Sequence, residues 1–151
     1  MVTGREITGL PVFSWNEGVF LGRAQQCYLD ISKGVLGGII LEKPNFKREK
    51  TYINAEEILK IYRDGIIAKS TDSTVKAKSL PQDTILYTEF LQRADLVYDE
   101  GEVVSDLFFD ETMAVVGGEI SQGFWHDLSY GRSFSPWHEL CNKIKLQKNG
   151  R

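Results

Sequence analysis

Two side chains near the carboxyl end of the chain have the spacing of a metal-binding pair. His138 and Cys141 lie three residues apart in a segment with a helical pattern, so both can face one ion. His126 or Asp127 could complete a zinc or nickel site. Cys141 also falls in the apolar stripe of that helix, where a buried thiol packs as a small hydrophobic side chain. The packing role is favoured, and no metal or cofactor is predicted.

Two aspartates, Asp30 and Asp110, occupy matching places in the two halves of the chain. Matched positions indicate turn formers rather than a general acid and its base, because an aspartate side chain readily accepts hydrogen bonds from the backbone just after it. Arg132 could bind an anion, but an ion pair with Asp127 is the preferred interpretation. A Cys27 nucleophile is disfavoured, since the first half contains no histidine to activate it. We predict that the protein is not an enzyme.

The aspartates belong to a longer internal repeat. An apolar triplet precedes each aspartate, at 27–29 and 107–109, and a strand with a double glycine follows each one. A gap-free alignment therefore matches two pairs of structural glycines: Gly37 and Gly38 with Gly117 and Gly118. Glycine inside a strand predicts a bend or bulge that can curl a small sheet. The repeat thus predicts two copies of one small domain.

Each copy has the pattern of three short strands followed by a helix. The expected strands of the first copy are 10–15, 21–29 and 35–42, with a further strand at 66–68; those of the second are 95–98, 103–109 and 115–121. Asn54 is expected to cap the first helix, with Ile58 and Ile61 on its buried face, and Ser135 to cap the second. The Ser- and Lys-rich segment 69–82 is expected to be a linker.

These motifs resemble the PRC-barrel family. The resemblance rests on L-P-V-x-S followed by G-x-x-L-G in 10–22, on the repeated apolar-Asp and V-x-G motifs, and on Y-I-x-x-x-E-I in 52–58. The run I-S-x-G-x-x-x-D-L-x-x-G-R-x-x-x-P in 120–136 is similar to a loop of two-unit bacterial members. The resemblance implies a mainly β fold of two tandem small β-barrels, each closed by a short helix. The units would span 1–79, with the linker from about residue 69, and 80–151.

The same resemblance implies a non-enzymatic adaptor that binds a protein partner. Relatives include the cytoplasmic barrel of the photosynthetic reaction-centre H subunit and half of a ribosome maturation factor, both attached to larger assemblies. The second copy crowds more aromatic side chains than a small barrel can bury, which predicts that part of the cluster either covers the seam between the two units or forms an exposed contact patch. The candidate interaction residues are Phe124, Trp125, Tyr130, Arg132, Phe134 and Trp137.

Two alternative functions remain open. An RNA- or ribosome-associated factor would use the basic segment 43–50, which contains Lys47, Arg48 and Lys50. A metal or small-ligand sensor would use His138 and Cys141.

Composition limits these alternatives. The net charge is −3, made of +3 over 1–79 and −6 over 80–151, which disfavours a nucleic-acid partner for the whole chain. Two cysteines are too few for a disulfide framework, and the start of the chain has no apolar segment of signal-peptide length. The longest apolar run, Val35–Leu41, is too short to span a bilayer. These features predict a cytoplasmic location and leave homo-oligomerisation open.

Overall fold

The computed structural model describes residues 1–42, 49–95 and 101–149, with Asp95, Phe124 and residues 144–149 described by their backbone alone. The predicted mainly β fold is confirmed. The elements in chain order are β1 (Val2–Thr3), α1 (Gly4–Ile7), β2 (Pro11–Ser14), β3 (Phe20–Asp30), β4 (Val35–Leu41), β5 (Lys50–Asn54), β6 (Ile58–Tyr62), β7 (Gly65–Ala68), β8 (Thr74–Ala77), β9 (Thr84–Leu86), α2 (Tyr87–Asp95), β10 (Val103–Phe109), β11 (Val115–Ser121), α3 (Phe124–Tyr130), β12 (Ser133–Pro136) and α4 (Trp137–Asn149).

Two equivalent hairpins, β3–β4 and β10–β11, carry the repeat. The turn of each hairpin begins at its aspartate: Asp30 Oδ1 accepts a hydrogen bond from the Lys33 N–H at 3.1 Å, and Asp110 Oδ1 accepts one from the Thr112 N–H at 2.8 Å. The Thr112 hydroxyl donates a second bond to Asp110 and lowers the pKa of this carboxyl group. The side chains therefore tighten the turns, as is typical of aspartate at these positions.

Bulges occur at the same places in both hairpins. In β3 the register shifts between Ala24 and Gln26 and again between Tyr28 and Leu29. In β10 the shifts lie 80 residues further on, at 104/106 and 108/109. Each bulge inserts one extra residue and increases the local twist. The two hairpins thus match in the positions of their irregularities as well as in their pairing.

The second turn is one residue shorter than the first. The residue with positive φ is Gly34 (φ 65°) in the first turn and Met113 (φ 67°) in the second, four and three residues after their aspartates. The structural counterpart of Gly38 is consequently Gly117. A Cβ at either position would collide with a carbonyl of the third strand, that of Ile53 or Ser135. The gap-free alignment, which matched position 37 with 117 and position 38 with 118, is wrong by one residue in this strand.

A third strand completes each hairpin to a frame of three strands, which is β3–β4–β5 in the first repeat and β10–β11–β12 in the second. Asn54 of β5 faces Gly38, and Pro136 of β12 faces Gly117. These contacts place residues 51–54 in the same register as 133–136, so the strand pairings of the two frames correspond outside the turns.

The two repeats exchange their leading strands. β1 pairs antiparallel with β10, with Val2 opposite Phe109, and β9 pairs antiparallel with β3, with Ile85 opposite Leu29. Each of these strands runs directly into a helix, α1 or α2. The strand and helix that begin one repeat therefore complete the sheet of the other.

Reciprocal hydrogen bonds mark an approximate twofold axis between the repeats. The Arg5 N–H donates to Asp106 Oδ1 at 3.2 Å, and the Thr88 N–H donates to Gln26 Oε1 at 3.2 Å. Near the hairpin turns, the Leu36 N–H donates to the Met113 carbonyl at 2.8 Å, and the Val115 N–H donates to the Gly34 carbonyl at 2.9 Å. Each bond has its counterpart across the axis.

One hydrophobic core serves both repeats. Ile7, Leu29 and Ile39 belong to the same buried cluster as Leu107 and Leu140. Residues 1–79 and 80–151 are therefore two segments that pack around a shared interior. Neither segment holds a complete sheet by itself, because each depends on the exchanged strand.

Three local predictions for the first repeat are wrong. Ile58 and Ile61 lie in strand β6, preceded by a single 3₁₀ turn at Ala55–Glu57, and the Asn54 side chain makes no cap hydrogen bond. The predicted linker contains strand β8, which pairs with β5.

The predicted closed barrels are not found: in the described part of the chain, the larger sheet runs from β6 to β8 without a ladder joining those two strands. Of the predicted strand 95–98, Asp95 ends α2 and the rest lies outside the described residues.

Candidate interaction surface

A short helix, α3, forms where the sequence resembled a family loop. The preceding Gly123 has φ 99° and the following Gly131 has φ 75°, conformations that glycine adopts without steric cost. The Gly131 N–H donates to the Asp127 carbonyl at 2.9 Å and ends the helix. The two glycines of the motif thus set where α3 begins and ends.

Asp127 ties α3 to the end of β11. Its carboxylate accepts hydrogen bonds from the Ser121 hydroxyl at 2.5 Å, the Gln122 N–H at 3.2 Å and Arg132 Nε at 3.2 Å. The bond from Ser121, supported by those from Gln122 and Arg132, holds the pKa of the Asp127 carboxyl group below its usual value. The I-S-x-G-x-x-x-D-L-x-x-G-R motif is therefore one hydrogen-bonded unit.

Arg132 bridges two carboxylates. Besides Asp127, its guanidinium contacts Glu119 of β11 through a short ion pair, and the Glu119 bond raises the pKa of Arg132. The Ser105 hydroxyl donates to Glu119 at 3.0 Å. Arg132 is thus engaged within the chain, in line with the pairing that the sequence favoured over an anion site.

The network holds α3 with apolar side chains toward solvent. Trp125, Leu128 and Tyr130 are 77%, 69% and 82% exposed. The ring of His126 lies 5.1 Å from that of Tyr130. Large exposed aromatic side chains on an ordered element are typical of protein contact sites, since they bring large contact area at low entropic cost. We refer to Trp125, Leu128 and Tyr130 as the α3 surface.

The remaining candidate aromatics separate into two environments. Phe134 of β12 is 52% exposed, and its ring lies 5.9 Å from that of Phe108. Trp137 is half-buried, packs against the core and lies 5.4 Å from the Phe90 ring. Trp137 therefore packs between α4 and α2 and is not part of the exposed surface. The side chain of Phe124 lies outside the described part of the chain.

A second exposed apolar surface in the first repeat was not predicted. Trp15 is 71% exposed and Phe20 is 56% exposed, and the Phe20 ring lies 5.6 Å from that of Phe13. The sequence carried a signal for it, because Phe13 and Trp15 alternate along the predicted strand 10–15 and Phe20 comes just before the next predicted strand. This surface provides a matched comparison for the α3 surface.

The described cysteines and histidines do not assemble a metal centre. His138 is exposed and Cys141 is half-buried on α4. Within the described residues, no three His, Cys, Asp or Glu side chains lie close enough to hold an ion. Cys27 is fully buried, and burial raises the pKa of its thiol, which keeps it protonated and unreactive.

Most of the basic segment 43–50 proposed for RNA binding lies outside the described part of the chain. Lys47 and Arg48 lie outside the described residues. Lys50 begins β5, opposite Ala77 of β8.

Comparison with known proteins gives one distant relative. The chain is 25% identical over 131 residues to the uncharacterised protein YrrD of Bacillus subtilis (strain 168), covering 84% of this chain and 74% of YrrD. No protein-family model matches the chain. As for membranes, none of the helices in the described residues combines the length and apolarity that crossing a bilayer requires.

Proposed function

We propose that this protein is a non-enzymatic, PRC-barrel-like adaptor that binds a protein partner through the α3 surface. The observation that carries the proposal is the exposure of Trp125, Leu128 and Tyr130 on a helix fixed by the Asp127 hydrogen bonds. A monomeric protein gains nothing in stability by ordering three large apolar side chains in water, whereas burial in a complex stabilises that complex.

The arrangement of α3 favours binding over catalysis. Asp127 of α3 and Glu119 of β11 both pair with Arg132, and hydrogen bonds lower the pKa of Asp127. A general base needs a pKa near the working pH, which these bonds oppose. The polar groups therefore position the helix, and its exposed apolar side chains supply contact area for a partner.

Affinity capture from native lysate tests this proposal. The tagged full-length chain, the W125A/Y130A double variant and the W15A variant serve as baits, with quantitative mass spectrometry of the retained proteins. We expect at least one protein to be retained by the wild type and by W15A and to be reduced about tenfold or more by W125A/Y130A, as for contact residues that carry most of the binding energy.

The W15A bait is the matched control, because Trp15 is exposed to a similar degree but lies in the first repeat. Equal retention of every protein by all three baits would contradict the proposal. Thermal denaturation of each bait confirms that the variants are folded before capture.

A further inference from the structure

The two frames differ in what borders their third strand. In the first repeat, β5 pairs with β4 on one side and with β8 on the other, with Val75 opposite Tyr52. In the second repeat, β12 is the last strand of its sheet among the described residues. The difference has a simple cause in the chain path. After β5 the chain forms β6 and β7 and returns as β8, whereas after β12 it enters α4.

The surface that β8 covers has a counterpart in the second repeat. Tyr28 and Tyr52 place their ring centroids 5.8 Å apart, and the equivalent residues Phe108 and Phe134 place theirs 5.9 Å apart. The tyrosine pair is 0% and 7% exposed, whereas Phe134 is 52% exposed. Phe108 is half-buried, so the two-ring platform is covered in one repeat and open at Phe134 in the other.

The cover of the tyrosine pair shows what such a platform accommodates. Val75 and Ala77 of β8, the following Leu80 and also Leu86 of β9 pack against the cluster of Tyr28, Ile40 and Tyr52, while Lys76 faces solvent. Apolar side chains at alternate positions of one extended segment thus reach the platform, and the backbone of the same segment extends the sheet.

We propose that the Phe108–Phe134 platform and the adjoining edge of β12 bind an extended segment of a protein partner, which adds antiparallel to β12 as β8 adds to β5. The segment carries apolar residues at alternate positions facing the two rings. This inference rests on the proposed function in that the ligand is a protein, but it uses a site other than the α3 surface.

The residue beside the aromatic pair differs between the two repeats: it is apolar beside Tyr28 and Tyr52, and charged beside Phe108 and Phe134. The counterpart of Ile40, which is buried beside the tyrosine pair, is Glu119, which is paired with Arg132. The Arg132 side chain is 44% exposed. The partner segment therefore carries, next to its apolar residues, a side chain that hydrogen-bonds to Glu119 or Arg132. The corresponding position of β8 lies beside the apolar Ile40 instead. This polar border distinguishes the partner's segment from β8 itself.

Titration of the full-length, isotopically labelled protein with a synthetic peptide tests the site. The probe copies residues 71–81 with blocked ends, and amide NMR follows each backbone position up to about 1 mM peptide, where weak strand addition is detectable. We expect shifts concentrated at Ser133, Phe134 and the facing residues of β11. Shifts confined to β5 would mean that the peptide only replaces β8 and would overturn the proposal, as would no shifts.

Variants on both sides separate the platform from the α3 surface. We expect F134A to weaken peptide binding about tenfold or more, F134Y to retain it and W125A to leave it unchanged. A peptide with Val75→Asp should not bind the wild type, a test that does not depend on the stability of F134A. Binding that survives both F134A and the Val75→Asp change would overturn the proposal. Because W125A affects only the α3 surface, failure of the lysate experiment and failure of this one are distinguishable.

A second copy of the chain is the competing occupant of this edge. Sedimentation of the wild type and F134A decides between the two. A monomeric wild type supports a partner segment, whereas a dimer that F134A dissociates would assign the edge to self-association and overturn the proposal.

Discussion

The two repeats share a frame and differ in its cover. Both frames have an aspartate turn, two bulges at matching positions of the hairpin and a glycine pressed against the third strand, at Gly38 and at Gly117. The covers are unrelated: β6, β7 and β8 in the first repeat, and α3 and α4 in the second. The features that close the hairpins and fix their register are thus kept in both copies, while the elements around them differ and leave different surfaces exposed.

Separating the repeats should have the largest effect. We expect residues 1–79 and 80–151 to be unfolded when produced alone, because each lacks the strand that the other supplies, and to assemble when coexpressed. Amide NMR dispersion and copurification measure this. A matched fragment, 10–95, contains β9 together with β3, and should retain more sheet than 1–79. Folded, monomeric 1–79 would show that the exchange is dispensable.

Alanine at the equivalent glycines should have the next largest effect. G38A and G117A should each lower the free energy of unfolding by about 2–3 kcal/mol, since the added methyl group meets a carbonyl of the third strand. G65A is the control, because a Cβ there makes only ordinary contacts, and should cost less than about 1 kcal/mol. Urea denaturation measures all three. A G117A variant as stable as G65A would contradict the equivalence.

A hydrogen bond on each side of the approximate axis tests how evenly the repeats share stability. The buried Tyr87 hydroxyl donates to Asp106 at 2.6 Å, and burial, followed by this bond, raises the pKa of Tyr87. Y87F should lower the free energy of unfolding by about 1–3 kcal/mol. Gln26, which the axis places opposite Asp106, accepts the exposed bond from the Thr88 hydroxyl, and T88A should cost less than about 0.5 kcal/mol. Equal losses would indicate a symmetric interface.

The smallest predicted effect is a change in pH dependence. Hydrogen bonds in the folded state lower the pKa of Asp127 from 3.8, so folding favours the charged carboxylate. The stabilisation is present above that pKa and is lost as the pH falls through the lower, folded-state value. The Tm difference between wild type and D127N should therefore be largest near neutral pH and shrink in acid. D64N controls for removing one surface charge, and a pH-independent D127N difference would contradict the assignment.

The hairpins were predictable from sequence because their signals are local. Alternating apolar residues and the turns at Asp30 and Asp110 specify β3–β4 and β10–β11 within short segments. The one-residue error at the second double glycine arose because Met113 adopts positive φ, a conformation usually assigned to glycine. A methionine gives no sign that the turn has been shortened.

The errors elsewhere have physical causes that a local pattern does not carry. Ile58 and Ile61 have helical spacing, yet they lie in β6, where a bulge between Ile58 and Lys60 inserts an extra residue and lets positions three apart share a face. The exchanged strand β1 has two residues, too few for any periodic signal, and its pairing depends on residues far along the chain. Of the candidate surface, the aromatic composition was visible in the sequence, but the burial of Trp137 and the exposure of Trp125 depend on the tertiary fold.

The pairing of Val2 with Phe109 also bears on how the protein forms during synthesis. β1 is synthesised well before β10 and has no place in a sheet until β10 has followed it, and β3 likewise waits for β9. Folding by units from the N-terminus is the usual order for nascent chains, and here it is interrupted. The emerging first repeat keeps an incomplete sheet exposed until translation has passed well beyond its own boundary, which makes this interval the stage at which a chaperone would have most to bind.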